Sequence, residues 1–482
     1  MVFSSLLFIF YFLPLVLGLY YLALKTAGRA AAHLVLAACS YIFYGWANPA
    51  FVFVMLYSTL IDYVCGLVIT GGVPGRLEPG TIRTRGQKCA LVVSIVTNLS
   101  LLGFFKYFNF GLDSWNALMT GMGFESATYE TFLRITLPLG ISFYTFQSMS
   151  YSIDIYRGEA RAIRNPIDFA CYVSMFPQLV AGPIIRFQEV DDQFRERSHT
   201  LDKFARGVAF IMLGLTKKVL LADPCGKMAD ACFSAGGLHT LEAWVGAVGY
   251  AFQIYFDFSA YSDMAIGLGL MFGFVFPKNF DSPYRARSIT EFWQRWHLSL
   301  STWLRDYLYI PLGGNRKGDS RTYVNLMLVM LLGGLWHGAS MTFVCWGAIH
   351  GLMLGCERML GRRSWYARLP QPVCVGFTFA VVCIAWVFFR ATTIGDATTY
   401  LAAMFGCGTN HPAAALVAGE VYTPYHVATL VLAAVIAFGA PQTWDFTRRL
   451  TWPRTVAISF CFILALILLA ATSFHPFIYF IF

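Results

Sequence analysis

Between Phe292 and His350 the chain places three of its nine histidines in the run FWQRWHLSLSTWLRDYLYIPLGGNRKGDSRTYVNLMLVMLLGGLWHGASMTFVCWGAIH. An imidazole titrates near neutrality, so each can take a proton from a hydroxyl as that hydroxyl attacks an acyl carbon. His337, between Trp336 and Gly338, lies in a segment apolar enough to sit in lipid, where an ionisable side chain is costly to keep without a use. Two readings stand for it: a general base, or a buried ring that hydrogen-bonds a carbonyl and pins two helices. Gly333, Gly334, Gly338 and Ala339 strip bulk from around it, and Ser340 adds a hydroxyl. Such a rim fits a substrate tunnel, and it also fits close helix packing.

His297 has a different setting. Trp293, Trp296, Leu300, Trp303 and Leu304 recur around it at helical spacing while Arg295, Arg305 and Asp306 face elsewhere, which predicts one amphipathic helix on the cytoplasmic face. Arg295, Arg305, Arg316 and Lys317, beside the flexible Gly313 and Gly314, could meet a phosphate-bearing donor. Membrane orientation and lipid headgroups account for the same bases. His350 falls about 3.6 turns beyond His337 on a continuous helix, hence on the opposite side, and reads as scaffold.

The elements that must hold these rings are membrane helices. The chain is 57% hydrophobic and 13% charged, against roughly 25% charged in an average soluble domain. That composition predicts an all-α polytopic membrane protein. Its formal charge of +9 sits in short loops between spans, where orientation and anionic lipid explain it without nucleic acid. Val2 to Leu24 has neither a basic leader nor a small-residue cleavage site, so it reads as a retained span. The twelve cysteines are scattered, and no CxxC pair or Cys/His cluster indicates a zinc site or a disulfide framework. No glycine-rich nucleotide loop, GxSxG elbow or HExxH pair is present either.

Runs long enough to cross a bilayer lie near 2–24, 30–46, 48–70, 89–110, 133–153, 204–223, 243–275, 322–356, 371–389, 423–441 and 455–474, with a weaker, re-entrant or amphipathic stretch at 165–185. They predict about eleven spans in a single membrane domain over 1–482, with a motif core about 133–356 and C-terminal spans about 371–474. Arg76, Arg83, Arg85 and Lys88, Arg157 to Arg164, Lys278 to Arg321, Arg358 to Arg368 and Arg448 to Arg454 mark cytoplasmic loops. The stretches 111–130 and 391–422, free of Lys and Arg, mark outer ones. Residues 322–356 must then enter and return, because one straight helix of roughly 50 Å overshoots a hydrocarbon core of about 30 Å. A break at Gly333 and Gly334 or at Gly338 would put His337 at the bend, beside a cavity. Gln147, Asp154, Gln178, Gln253, Asp257 and Asp263 also sit in apolar runs, either lining a polar path or pairing with buried bases such as Lys106 and Lys217.

FWQRWHLSLSTWLRDYLYIPLGGNRKG, followed by LWHGASMTFVCWGAIHG, resembles the signature of the membrane-bound O-acyltransferase (MBOAT) family, and within it the bacterial alginate O-acetyltransferase (AlgI-like) branch. FYTFQSMSYSIDIYRG at 143–158, FPQLVAGPIIR at 176–186 and the terminal FIYF extend the resemblance along nearly the whole chain. The resemblance implies an MBOAT fold of tilted helices around a central tunnel, with His337 as catalytic histidine and His297 as the assisting position. It also implies a cytoplasmic acetyl donor, acetyl-CoA, with no bound cofactor and no metal, in the cell inner membrane. A periplasmic SGNH-type transferase is the implied partner, passing the acetyl group to an exported or cell-envelope polysaccharide such as alginate. Acetylation of peptidoglycan or cellulose, D-alanyl transfer to teichoic acid, and a transporter without covalent chemistry are the competing readings.

Overall fold

Long apolar runs, interrupted chiefly at glycine and proline, fold as helices. The structure is a computed structural model that describes residues 1–72, 75–78, 80–124, 128–129, 134–361, 369–408, 413–471 and 477–478. Among these residues there are twenty α-helices and no strand. Arg362, Arg363 and Arg368 of one expected basic loop, and most of the tail after Ala471, lie outside the described residues. The chain packs as two compact units, residues 1–200 with 272–276, and residues 201–271 with 277–482.

The first unit holds α1 (Leu13–Gly45), α2 (Ala50–Thr70), α3 (Arg85–Gly121), α4 (Ile141–Arg157), α5 (Pro166–Ser174), α6 (Phe176–Leu179) and α7 (Phe187–Arg195). α1 is two helices joined at a kink, where Gly28 turns left-handed at φ 83°, between the two expected spans. α3 continues to Gly121, so the first part of the expected outer loop 111–130 is helix. α5, at nine residues, is about 14 Å long and too short to cross. A buried network ties this unit together. His33 Nδ1 donates to Asp168 at 2.6 Å, and Arg197 reaches His33 Nε2 at 2.6 Å and the Tyr20 hydroxyl at 2.5 Å. Gln147 and Gln178 both donate to the Tyr172 carbonyl.

The second unit runs from α8 (Leu201–Lys217) and α9 (Asp223–Phe233) to α10 (Thr240–Met271), whose buried faces make it the axis of the unit. It continues through α11 (Ile289–Trp293), α12 (Leu298–Leu304), α13 (Asp319–His337), α14 (Met341–Leu360) and α15 (Gln371–Arg390). It ends with α16 (Ile394–Met404), α17 (Ala413–Val421), α18 (Pro424–Gly439), α19 (Thr443–Phe446) and α20 (Trp452–Ala471). The stretch 391–422, expected as an outer loop, thus carries two short helices. Two acidic groups of α10 are paired: Asp263 with Lys217 at 2.7 Å, and Asp257 with Lys218 at 2.6 Å. The first is a partner the sequence pointed to, and the second is not.

Among the described residues, five helices are long and apolar enough to cross a membrane, Phe8–Gly45, Ala50–Thr70, Arg85–Gly121, Gln371–Arg390 and Trp452–Ala471. Ala414–Val421 with Pro424–Gly439, bent by 67°, makes up to six. Eleven were expected. Phe8–Gly45 takes in two of these, on either side of the Gly28 kink, and interior helices such as α10, whose 32 residues reach about 48 Å, are long enough to cross but carry Gln253, Asp257 and Asp263.

Candidate active site

His337 closes α13. Gly338 follows in an extended conformation, and Ser340 caps α14 by accepting from the Thr342 backbone N–H at 3.3 Å. A serine cap three residues after the histidine is what makes this a hairpin instead of one long helix. Of the two breaks the sequence left open, the chain uses Gly338. The ring therefore stands on the carbonyl end of a helix, where a developing positive charge is best placed.

The small residues serve close packing. A Cβ on Gly334 would run into the Phe343 carbonyl, one on Gly347 into the Met330 carbonyl, and one on Gly338 into the Phe343 ring. Aromatic rings, not a small-residue rim, line His337: Trp336, Trp346 and Phe389 lie 5.0, 5.2 and 5.2 Å away between centroids, all near edge-on. His337 keeps 7% exposure, whereas His297 and His350 have 0%. It is buried, but the least enclosed of the three.

The expected amphipathic helix around His297 is two short helices, α11 and α12, and His297 is the joint. Its backbone is left-handed, φ 44° and ψ 56°; among the described non-glycine residues only Ser282 shares a positive φ. Such a conformation persists where surroundings impose it. Here the Leu298 N–H donates to the Asn279 carbonyl and the Asp281 N–H to the Arg295 carbonyl, each at 2.9 Å. Residues 279–281 thereby hold the turn in register.

The Asn279 side chain does more. Its Oδ1 accepts from the Ser299 N–H at 3.2 Å and from the Ser299 hydroxyl at 2.9 Å, and it lies 3.2 Å from His297 Nδ1. A backbone N–H only donates, so this Asn279 atom is the oxygen, and the histidine nitrogen facing it carries the proton. The lone pair is then on Nε2, which is buried with no hydrogen-bond partner among the described residues. Phe258 and Trp336 flank the ring at 4.7 and 6.1 Å between centroids. Burial pushes the imidazole down to about 3, so it stays neutral near pH 7. Sequence reading missed Asn279 and Ser299; the one available signal was a buriable amide between Phe276 and Phe280.

The four basic candidates separate. Arg295 is engaged by Glu291 at 2.8 Å and by the Asp281 carbonyl at 3.0 Å, and Arg305 by Asp306 at 2.6 Å. Arg316 and Lys317 are exposed in the turn before α13. His350 accepts at Nδ1 from the Trp293 indole at 3.3 Å and stacks on Phe292, joining α14 to α11. Among the described residues no group of three or more His, Cys, Asp or Glu is placed to hold a metal ion. A small recess of about 10 Å³, room for one water, is lined in part by Ser262, Asp263, Lys278, Asn279, Gln442 and Thr443.

Residues 95–394, which contain both histidines and the hairpin, match the family model of the membrane-bound O-acyltransferases. The chain belongs to the membrane-bound O-acyltransferase family. It is therefore a multi-pass, all-α membrane O-acyltransferase that uses an acyl donor, as its MBOAT motifs implied. The chain is similar to the probable alginate O-acetylase AlgI of Pseudomonas putida, 46% identical with 100% of each chain covered. It is also similar to the peptidoglycan O-acetyltransferase of Helicobacter pylori, 37% identical over 84% of this chain and 80% of that one. To the teichoic acid D-alanyltransferase of Streptococcus thermophilus it is 32% identical over 45% of this chain and 55% of that one.

Proposed function

We propose that this membrane O-acyltransferase moves acetyl groups from acetyl-CoA, on the cytoplasmic side of the cell inner membrane, toward O-acetylation of an exported polysaccharide such as alginate. The full-length identity to the Pseudomonas putida alginate O-acetylase supports the acetyl group and the polymer. The observation that carries the chemistry is His337 on the last turn of α13, the least enclosed of the three histidines, with the bare Nε2 of His297 beyond one intervening indole.

In this reading His337 takes the proton of an acceptor hydroxyl as its oxygen attacks the thioester carbonyl. The C–O bond forms, the C–S bond breaks, and the proton passes to the leaving thiolate. His297, whose bare Nε2 can only accept, takes a hydrogen bond from a different donor group of the bound substrates, an amide N–H or a second hydroxyl, and so orients them. Arg316 and Lys317 meet the donor's phosphates, while Arg295 and Arg305, already paired, hold the segment that carries His297. A periplasmic SGNH-type transferase completes delivery to the polymer. Peptidoglycan is the second acceptor class, favoured by the 37% identity over 84% of the chain.

The test is His337→Ala in cells and in liposomes given labelled acetyl-CoA. Acetylation of the envelope polymer and label transfer should be lost while the protein still accumulates in the membrane. Unchanged acetyl content, or uptake of an intact solute without transfer, would sink the proposal.

A further inference from the structure

We propose that Asn279 is a positioning residue for acyl transfer, whose side-chain oxygen locks His297 with its proton on Nδ1 and its lone pair on Nε2. The assignment rests on the role of His297 given above and deepens it. Asn279 is 1% exposed, so water does not compete for its oxygen. That oxygen already collects the Ser299 N–H and the Ser299 hydroxyl, which leaves His297 Nδ1 facing an acceptor.

The opposite tautomer would set two lone pairs against each other across 3.2 Å, and in a dry site that repulsion is not relieved. The Ser299 oxygen, 3.3 Å from Nδ1, offers no alternative donor, because its hydrogen points to Asn279. The groups flanking the ring from α10 and α13, Phe258 and Trp336, are uncharged. The tautomer is therefore set from Asn279. The same residue imposes the left-handed turn through its own carbonyl, which accepts from Leu298. One loop residue thus fixes both where the ring is and which nitrogen is bare.

Two substitutions separate this from a merely structural role. Asn279→Asp keeps the acceptor and adds a charge beside the Nδ1 proton. It should preserve the tautomer and bring an acidic limb into the measurable range of the pH profile of kcat/KM. Asn279→Leu removes the acceptor and should lower kcat by roughly tenfold or more with the donor KM unchanged. Nitrogen NMR of the histidine-labelled full chain in lipid bilayers, with His297→Ala to assign the signal, reads the tautomer without turnover. The expected result is a bare Nε2 in the wild type and a mixed or reversed population in Asn279→Leu. A wild-type proton on Nε2, or a tautomer unchanged by Asn279→Leu, overturns the assignment. Full transfer by His297→Ala would instead overturn the reading on which it rests, so the two failures are read on separate measurements.

Discussion

His297 meets Trp336 edge to face, 6.1 Å between ring centroids, and the same indole packs on His337 at 5.0 Å. The two histidines are therefore spaced by one rigid plane that is 4% exposed. Trp336→Phe shortens that spacer while keeping an aromatic edge. Turnover should fall with little change in donor KM, while the melting temperature in detergent drops only modestly; steady-state kinetics beside thermal melts check it. A variant with unchanged kcat would mean that the spacing is not used.

The left-handed backbone of His297 allows its ring and its conformation to be tested apart. Asn visits this region easily, whereas a β-branched residue is strained there by about 1–2 kcal/mol. His297→Asn should accumulate and melt like the wild type while losing transfer. His297→Val should lose both. Equal stability of the two variants would show that the strain is absorbed elsewhere.

Acid should unfold the second unit partly through His297. Its folded value, near 3, lies below the ordinary 6.5, so the unfolded chain binds the proton more readily between these values. Stability is then full above about 6.5 and declines as pH falls toward 3. His297→Asn should flatten this decline, measured as the melting temperature across that window. An identical slope in both proteins would remove His297 from the acid response.

Lys218 and Asp257 are 3% and 2% exposed, 2.6 Å apart, with Asp223 also on the lysine at 2.8 Å and the Ile478 N–H on Asp257. Removing one partner strands a buried charge, which costs about 3–5 kcal/mol. Lys218→Met should thus lower accumulation and the melting temperature sharply, and adding Asp257→Leu should recover part of the loss. A double variant worse than the single one would contradict a simple charge pairing.

Much of the site was legible because its signals are local. A histidine in an apolar run, a glycine just beyond it and a serine able to cap place His337 at a helix end with no knowledge of the fold. The family motifs, long and contiguous, were read the same way. His297 was misread as part of one helix because the tryptophans and leucines around it keep helical spacing through the joint. What breaks the helix is a tie from Asn279, 18 residues earlier, and nothing near His297 announces it. Spans are harder to count from sequence for a related reason: an interior helix such as α10 is covered by protein along its length and carries polar groups that an isolated span would not.

The backbones of α13 and α14 touch where Gly334 meets Phe343 and Gly347 meets Met330. Helices in such contact cannot slide or separate without giving up the contact along their length. Any opening that admits an acyl chain to His337 is therefore a matter of swinging shutters on a fixed frame. The rings such an opening would have to turn are Trp346 and Phe389, set edge-on to His337, and their torsions, rather than a rocking of helices, would set the pace of entry.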